Sequence, residues 1–408
     1  VQVYKDFKLF SIICTFLGLA PYKIHINNIT GDGRLDARIG RNVAGIICTF
    51  LMTCVMLYGM YDMIMEFKFQ RKSTVSDTLS TKFCMPMFFA VTIVALLMNS
   101  TVIKYKMSQL FNIFSNIDKE INRLRGEPVL EKSVLMKMLS NFDIVILLFL
   151  FAPYLIYDAL IWGIGFFHMN SYLLRFSEFV NIVIVMLYCR CVLYVWKKLS
   201  ELCEILSKTL ECDTLTGYHT GLGYKILQVH PESKMKRIQD FTEIVVSLRR
   251  LYSQVCAAVH IINAMYGFIV LLEIATHFSV IITNVSTVMS LINTKEEHNI
   301  IPHHPPDHKP LFSNTACLII SASLLVTMIV ICHITTSKSK DLASVVGKVS
   351  LKYPLNIVTL QQLKLFSYQI RYNCFDFTAF WLFRLDSNLL CTIFASAVTY
   401  TAVLSQLN

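Results

Sequence analysis

The chain has 408 residues, 55% of them hydrophobic and only 16% charged, with a mean hydropathy of +0.55. A soluble domain of this length does not carry that much apolar sequence, so the composition indicates a multi-pass membrane protein and excludes an ordinary soluble enzyme. The net charge of +10 is scattered between apolar runs, which fits membrane orientation rather than nucleic-acid binding.

Residues 1–20 form an amphipathic start, expected to lie along the inner membrane interface. Lys5, Asp6 and Lys8 interrupt its apolar pattern, so no cleavable signal peptide is expected. A polar segment with Gly31 and Gly33 ends that element. Seven spans follow, at about 42–65, 83–103, 142–167, 171–196, 257–285, 314–335 and 386–406. No internal repeat and no linker divides them, so one all-α membrane domain is expected.

Lys and Arg fix the orientation. The N-terminal segment and the flanks 104–141, 197–256 and 336–385 together hold 29, whereas the opposite flanks hold 7. The positive-inside rule then places the N-terminus in the cytoplasm and the C-terminus outside. That is the reverse of a G-protein-coupled receptor, and the last span carries no Asn-Pro-x-x-Tyr. The resulting layout is a cytoplasmic segment 1–41, spans one to four over 42–196, and cytoplasmic helical extensions over 197–256. Spans five and six with their outer loop cover 257–335, a cytoplasmic anchor region covers 336–385, and the last helix covers 386–408.

The inner extensions are amphipathic. Ile238, Phe241, Val245, Leu248, Tyr252 and Val255 recur at steps of three and four, a heptad seam that must be buried against other helices. Leu199, Leu202, Leu206 and Leu210 repeat the pattern after span four, and residues 354–374 do so before the last span.

Thirteen cysteines include no CxxC pair, and most fall in spans, where they read as small hydrophobes. Only Cys84 and Cys317 sit near outer span ends. His298, His303, His304 and His308 share a Pro-rich outer loop whose extended character disfavours a fixed metal geometry, so no metal site is assigned. Motifs for nucleotide binding, catalytic triads and zinc hydrolysis are missing. Neither an enzymatic activity nor a cofactor is expected.

Ionisable groups inside spans are the better functional candidates. Asp158 in span three, Glu178 in span four and Glu273 in span five lie in apolar surroundings, with Trp162, Phe88, Tyr172 and His277 among the aromatic and polar residues on the same outer halves. A secondary transporter would use such acids as coupling sites, but it would also show paired repeats.

The last span carries a polar stripe. Asn388, Thr392, Ser396, Thr399, Val403 and Gln406 recur at helical spacing, so they share one face. A spanning helix with one wet face turns it to partner helices or to water. A helix–helix seam and a water-filled path both satisfy that pattern.

The ending of this span, Thr399-Tyr400, five residues and then Gln406, resembles the TYhhhhhQF motif that closes insect gustatory receptors. Leu407 stands where that family usually has Phe, and Thr401 and Ser405 dilute the apolar spacer. The resemblance extends to the whole layout. It implies a plasma-membrane, multi-pass, ligand-gated channel of inverted topology, assembled as a homo- or hetero-tetramer on the inner helical anchor. It also implies permeation by monovalent and divalent cations along a pore lined by the last helix, with Ser396, Thr399, Val403, Gln406 and Leu407 at the path and gate.

The expected stimulus is a small extracellular tastant. Buried carboxylates without polar partners are costly, so a pocket holding Asp158, Glu178 and Glu273 favours a sugar or polyol over an apolar bitter compound. Asp158 and Trp162 are four residues apart and share a helix face, as do Glu273 and His277.

Overall fold

The computed structural model describes residues 7, 11–15, 17, 19, 23–26, 33–36, 43–69, 84–125, 156, 169–218, 231–298, 309–352, 357–373 and 375–407. Span three of the sequence reading, Asp158 and Trp162 included, lies outside the described residues except for Ile156, and His303, His304 and His308 lie outside them too.

Among the described residues helices dominate. A small antiparallel hairpin of β1 (Lys23–Ile26) and β2 (Gly33–Asp36) precedes α1 (Val43–Phe69). This hairpin occupies the polar segment that sequence reasoning took only as an element breaker. Next come α2 (Met85–Met98), with Pro86 in its first turn, a single π-helical turn at Asn99–Ile103, and α3 (Lys104–Arg125). Proline is suited to a first helical turn because no intrahelical partner awaits its missing N–H. The long helices are α4 (Met169–Tyr218), α5 (Pro231–His298) and α6 (Lys309–Lys352). They are followed by α7 (Ile357–Tyr372), a two-residue hairpin of β3 (Thr378–Ala379) and β4 (Phe383–Arg384), and α8 (Ser387–Leu407).

Among the described residues, five helical runs are long and apolar enough to cross a membrane: Met85–Arg125, Tyr172–Lys208, Phe241–Met289, Asn314–Leu351 and Ser387–Leu404. With 68 residues, α5 is about 100 Å long at 1.5 Å per residue, against a hydrocarbon core of about 30 Å. It must therefore project well beyond the bilayer, and α4 and α6 do the same.

Those projections bundle. Val245, Leu248, Tyr252 and Val255 of α5 are buried, as are Leu199, Leu202 and Leu206 of α4 and Leu363, Phe366 and Ile370 of α7. Polar ties fix the register of the bundle. Thr242 and Thr359 share a hydrogen bond at 2.6 Å, Arg249 donates to Gln362 at 2.9 Å, and the Tyr252 and Ser339 hydroxyls meet at 3.1 Å. Between α3 and α4, the buried Lys198 ammonium lies 2.6 Å from Asp118 and 2.7 Å from Glu201, and Tyr194 donates to the same Asp118. Phe7 packs edge-on against Phe111 at this level, closing the aromatic cluster around Tyr194.

Asp386 starts α8: its carboxylate accepts the Leu389 N–H at 3.0 Å, satisfying one of the free donors of the first turn. The helix then packs through Ala397 and Leu404 on a cluster with Phe278, Ile281, Ile282 and Val285 of α5. Phe278 of α5 meets Tyr400 edge-on.

Candidate functional site

Two adjoining hollows open among α2, α4, α5 and α6, in the half of the helices remote from the bundled extensions. They share Phe88, Glu178 and Cys317 as walls. The larger has a cavity volume of about 80 Å³, which limits an occupant to one small molecule. Its polar lining consists of Arg175 and Glu178 from α4, Thr283 and Asn284 from α5, and Asn314 from α6. Leu174 and Val280 supply the apolar side. The smaller hollow reaches inward to His277 and Ser321, between Ile182, Ile320 and Leu324.

Arg175 is the main electrostatic feature. Its guanidinium grips both oxygens of Glu178, at 3.0 and 2.9 Å, one helical turn away on α4. The carboxylate that sequence reasoning left unpaired is therefore neutralised by its own helix. The three-residue spacing of Arg175 and Glu178 in the sequence is the signal for this pair.

Glu273 and His277 are both buried, and the imidazole Nε2 lies 3.5 Å from a Glu273 oxygen. Among the described residues, none of their four polar atoms makes a hydrogen bond. The His277 ring stands edge-on to Phe88, with centroids 6.5 Å apart. The pair is thus one wall behind the hollow, linked to it through Phe88.

Below the hollows a polar knot ties α2 to α4. The hydroxyls of Thr92 and Ser177 meet at 2.6 Å, Thr92 donates to Asn181 at 2.9 Å, and the Phe88 carbonyl accepts from Ser177 and Asn181. Buried polar groups need such partners, and here they fix the Phe88 backbone under the hollow. The sequence offered no signal for this knot beyond polar residues within apolar runs.

The structure brings Glu178, Phe88 and His277 together at the hollows, with Glu273 directly behind. Tyr172 departs from expectation: it sits in the first turn of α4, is 41% exposed, and does not line either hollow. Cys84 and Cys317 converge on one wall as free thiols, with the Cys84 sulfur 3.7 Å from the Thr283 hydroxyl.

The α8 stripe turns away from its own subunit. Asn388, Thr392, Thr399 and Val403 are exposed and Ser396 is half-buried, while the apolar Phe394, Val398 and Tyr400 are exposed too. At 100° per residue the buried Ala397 lies about 140–180° from Asn388, Thr392 and Thr399, and the buried Ile393 borders the stripe at Ser396. Among the described residues, the neighbouring helices of the same chain leave most of this stripe uncovered. The Thr392 and Thr399 hydroxyls donate to the carbonyls of Asn388 and Ala395, so each is satisfied along its own helix. Gln406 and Leu407 fall in the last turn of α8.

A family model described as 7tm chemosensory receptor matches residues 7–407. The fold is similar to that of the insect olfactory receptor OR5 from Machilis hrabei, with a TM-score of 0.60 at 10% identity, covering 100% of this chain and 99% of that one. The structure of that receptor in complex with eugenol is similar too, with a TM-score of 0.58 at 10% identity, covering 100% and 98% of the two chains. No curated protein matches the sequence.

Proposed function

The chain belongs to the 7tm chemosensory receptor family, and from that premise we propose that it is a gustatory-type receptor of the plasma membrane, a non-selective cation channel opened by a small polar tastant such as a sugar. The observation that carries the ligand class is the lining of the larger hollow. Arg175, Glu178, Thr283, Asn284 and Asn314 converge there beside the ring of Phe88. Several donors and acceptors next to one aromatic face suit a polyhydroxylated molecule, whose C–H side packs on the ring while its hydroxyls replace water. Asp158 and Trp162 are proposed to complete the site from span three.

The channel reading rests on α8. Its exposed polar face needs water or other copies of the chain, and a homo- or hetero-tetramer around a central path supplies both. Thr399, Val403, Gln406 and Leu407 then line the outer part, conducting monovalent and divalent cations. The N-terminus lies inside, and the long extensions of α4, α5 and α6 with α7 form a cytoplasmic anchor. The Machilis hrabei receptor solved with eugenol supports a second ligand class, an aromatic or bitter compound, which Phe88, Ile320 and Leu324 would accommodate.

Whole-cell recording from cells expressing this chain alone tests the proposal. Monosaccharides should evoke a current that reverses near zero millivolts. A response to bitter aromatics with silence to sugars would replace the ligand class, and sugar uptake without such a current would replace the channel.

A further inference from the structure

The hairpin that precedes α8 breaks a backbone rule. The Leu382 N–H donates to the Ala379 carbonyl at 3.0 Å, closing a tight turn whose two central residues, Phe380 and Trp381, have φ of 49° and 62°. Two consecutive left-handed residues define the turn that favours Asn-Gly in ordinary hairpins, because L side chains are strained there. This chain instead places two of its largest apolar rings at those positions. Strain of this kind persists where the side chains themselves are required.

The rings are only partly housed by the protein. Phe380 packs edge-on to Phe268 at 5.2 Å, and Trp381 stacks on His260 at 6.2 Å. Even so, Phe380, Trp381 and Leu382 remain 51%, 61% and 67% exposed. The hairpin climbs along α5, held at its base by Asn263, which donates to the Asp376 carbonyl and accepts the Thr378 N–H. At the tip, a Cβ on Gly267 would lie 3.1 Å from the Phe380 nitrogen, so glycine permits the close approach.

Polarity is segregated along this short climb. The base holds the Arg384–Asp376 ion pair at 3.2 Å and the Asp386 cap of α8, whereas the tip is wholly apolar. Phe380, at Gly267, lies about 6 Å farther along α5 than the Asn263 base, while the Trp381 ring folds back over His260. A step of about 6 Å matches the depth to which apolar groups sink below lipid headgroups, the level at which tryptophan concentrates. Arg384 is exposed at the base, on the side of the chain that collects 29 of its 37 Lys and Arg, which complements anionic headgroups.

We propose that Phe380, Trp381 and Leu382 form a lipid anchor, a strained hairpin tip seated in phospholipid acyl chains at the cytoplasmic end of α8. It holds the root of that helix at a fixed depth. This rests on the reading of α8 as a spanning helix, but its test needs neither tastant nor current.

The chain has three tryptophans, so Trp381 emission is obtained as the difference between the full-length protein and its Trp381→Phe variant in nanodiscs. Lipids brominated near the headgroup end of their acyl chains should quench that difference signal at least twofold, and aqueous iodide should leave it nearly unchanged. Quenching by iodide would place the ring in water, and indifference to both would place it against a second copy of the chain. Either result overturns the proposal. If Trp381→Phe does not fold, Leu382→Trp adds a ring at the same tip, and its added emission must show the same bromolipid quenching. Sugar-evoked current that fails while quenching holds would count against the channel reading alone.

Discussion

Phe278 of α5 and Tyr400 of α8 stand edge-on, with ring centroids 6.2 Å apart and planes at 80°. One residue earlier on α5, His277 lines the smaller hollow. A single helix therefore touches the candidate ligand site with one face and the proposed pore helix with the other, and a small rotation of α5 is felt at both.

If that contact transmits opening, its loss will change gating without removing the site. An edge-to-face pair contributes about 0.5–1.5 kcal/mol beyond burial, so Phe278→Ala should shift the half-activating concentration by roughly twofold to tenfold. Tyr400→Phe keeps the ring and should behave nearly as wild type. Dose–response recording on both variants checks this, and equal shifts would assign the contact no role in coupling.

At the site itself, Glu178→Gln removes a charge that Arg175 holds at 2.9 Å. A hydrogen bond to a charged group contributes about 1.5–3 kcal/mol, so the half-activating sugar concentration should rise tenfold or more, with surface expression retained. Asp158→Asn and Trp162→Ala are expected to act in the same direction. Wild-type responses from all three would remove the sugar from this cavity.

Burial follows apolarity, so periodicity made the helices and their inner bundling legible. Val245, Leu248, Tyr252 and Val255 are buried as their spacing requires. The cavity was only half legible. Glu178, Glu273 and His277 stood out as ionisable groups in apolar runs, but Cys84 and Cys317 meet through folding alone, 233 residues apart in the chain. The hairpin before α8 was hidden for a different reason. Phe380 and Trp381 occupy positions where a reader looks for Gly or Asn, so no turn signal marked them.

The bundle of helical extensions offers a stability test independent of ligand. Lys198 is buried between Asp118 and Glu201, and its ammonium is a charge that both carboxylates contact. Breaking a buried pair from one side costs about 3–5 kcal/mol, so Lys198→Met should sharply lower the yield of monodisperse receptor and its melting temperature. The double variant Lys198→Met with Asp118→Asn should recover part of the loss, measured by fluorescence-detected size exclusion after heating. Unchanged melting in the single variant would mean that water reaches the pair.

The exposed face of α8 gives the sharpest test of the pore. Val403 is half exposed and lies on the polar stripe, whereas Leu404, one residue on, packs toward α5 with Ala397. Adjacent positions on a helix point about 100° apart, so a reagent in a central water path distinguishes them. Val403→Cys and Gln406→Cys should each make tastant-evoked current sensitive to a charged thiol reagent applied outside, with more than half of the current lost. Leu404→Cys should stay insensitive, and its protection is expected in every gating state because its side chain is packed within one subunit. The native Cys391 is also exposed on α8, so each variant is compared with a Cys391→Ser background. Sensitivity at Leu404 with silence at Val403 and Gln406 would turn α8 around, making its polar stripe a contact between chains and moving the ion path elsewhere.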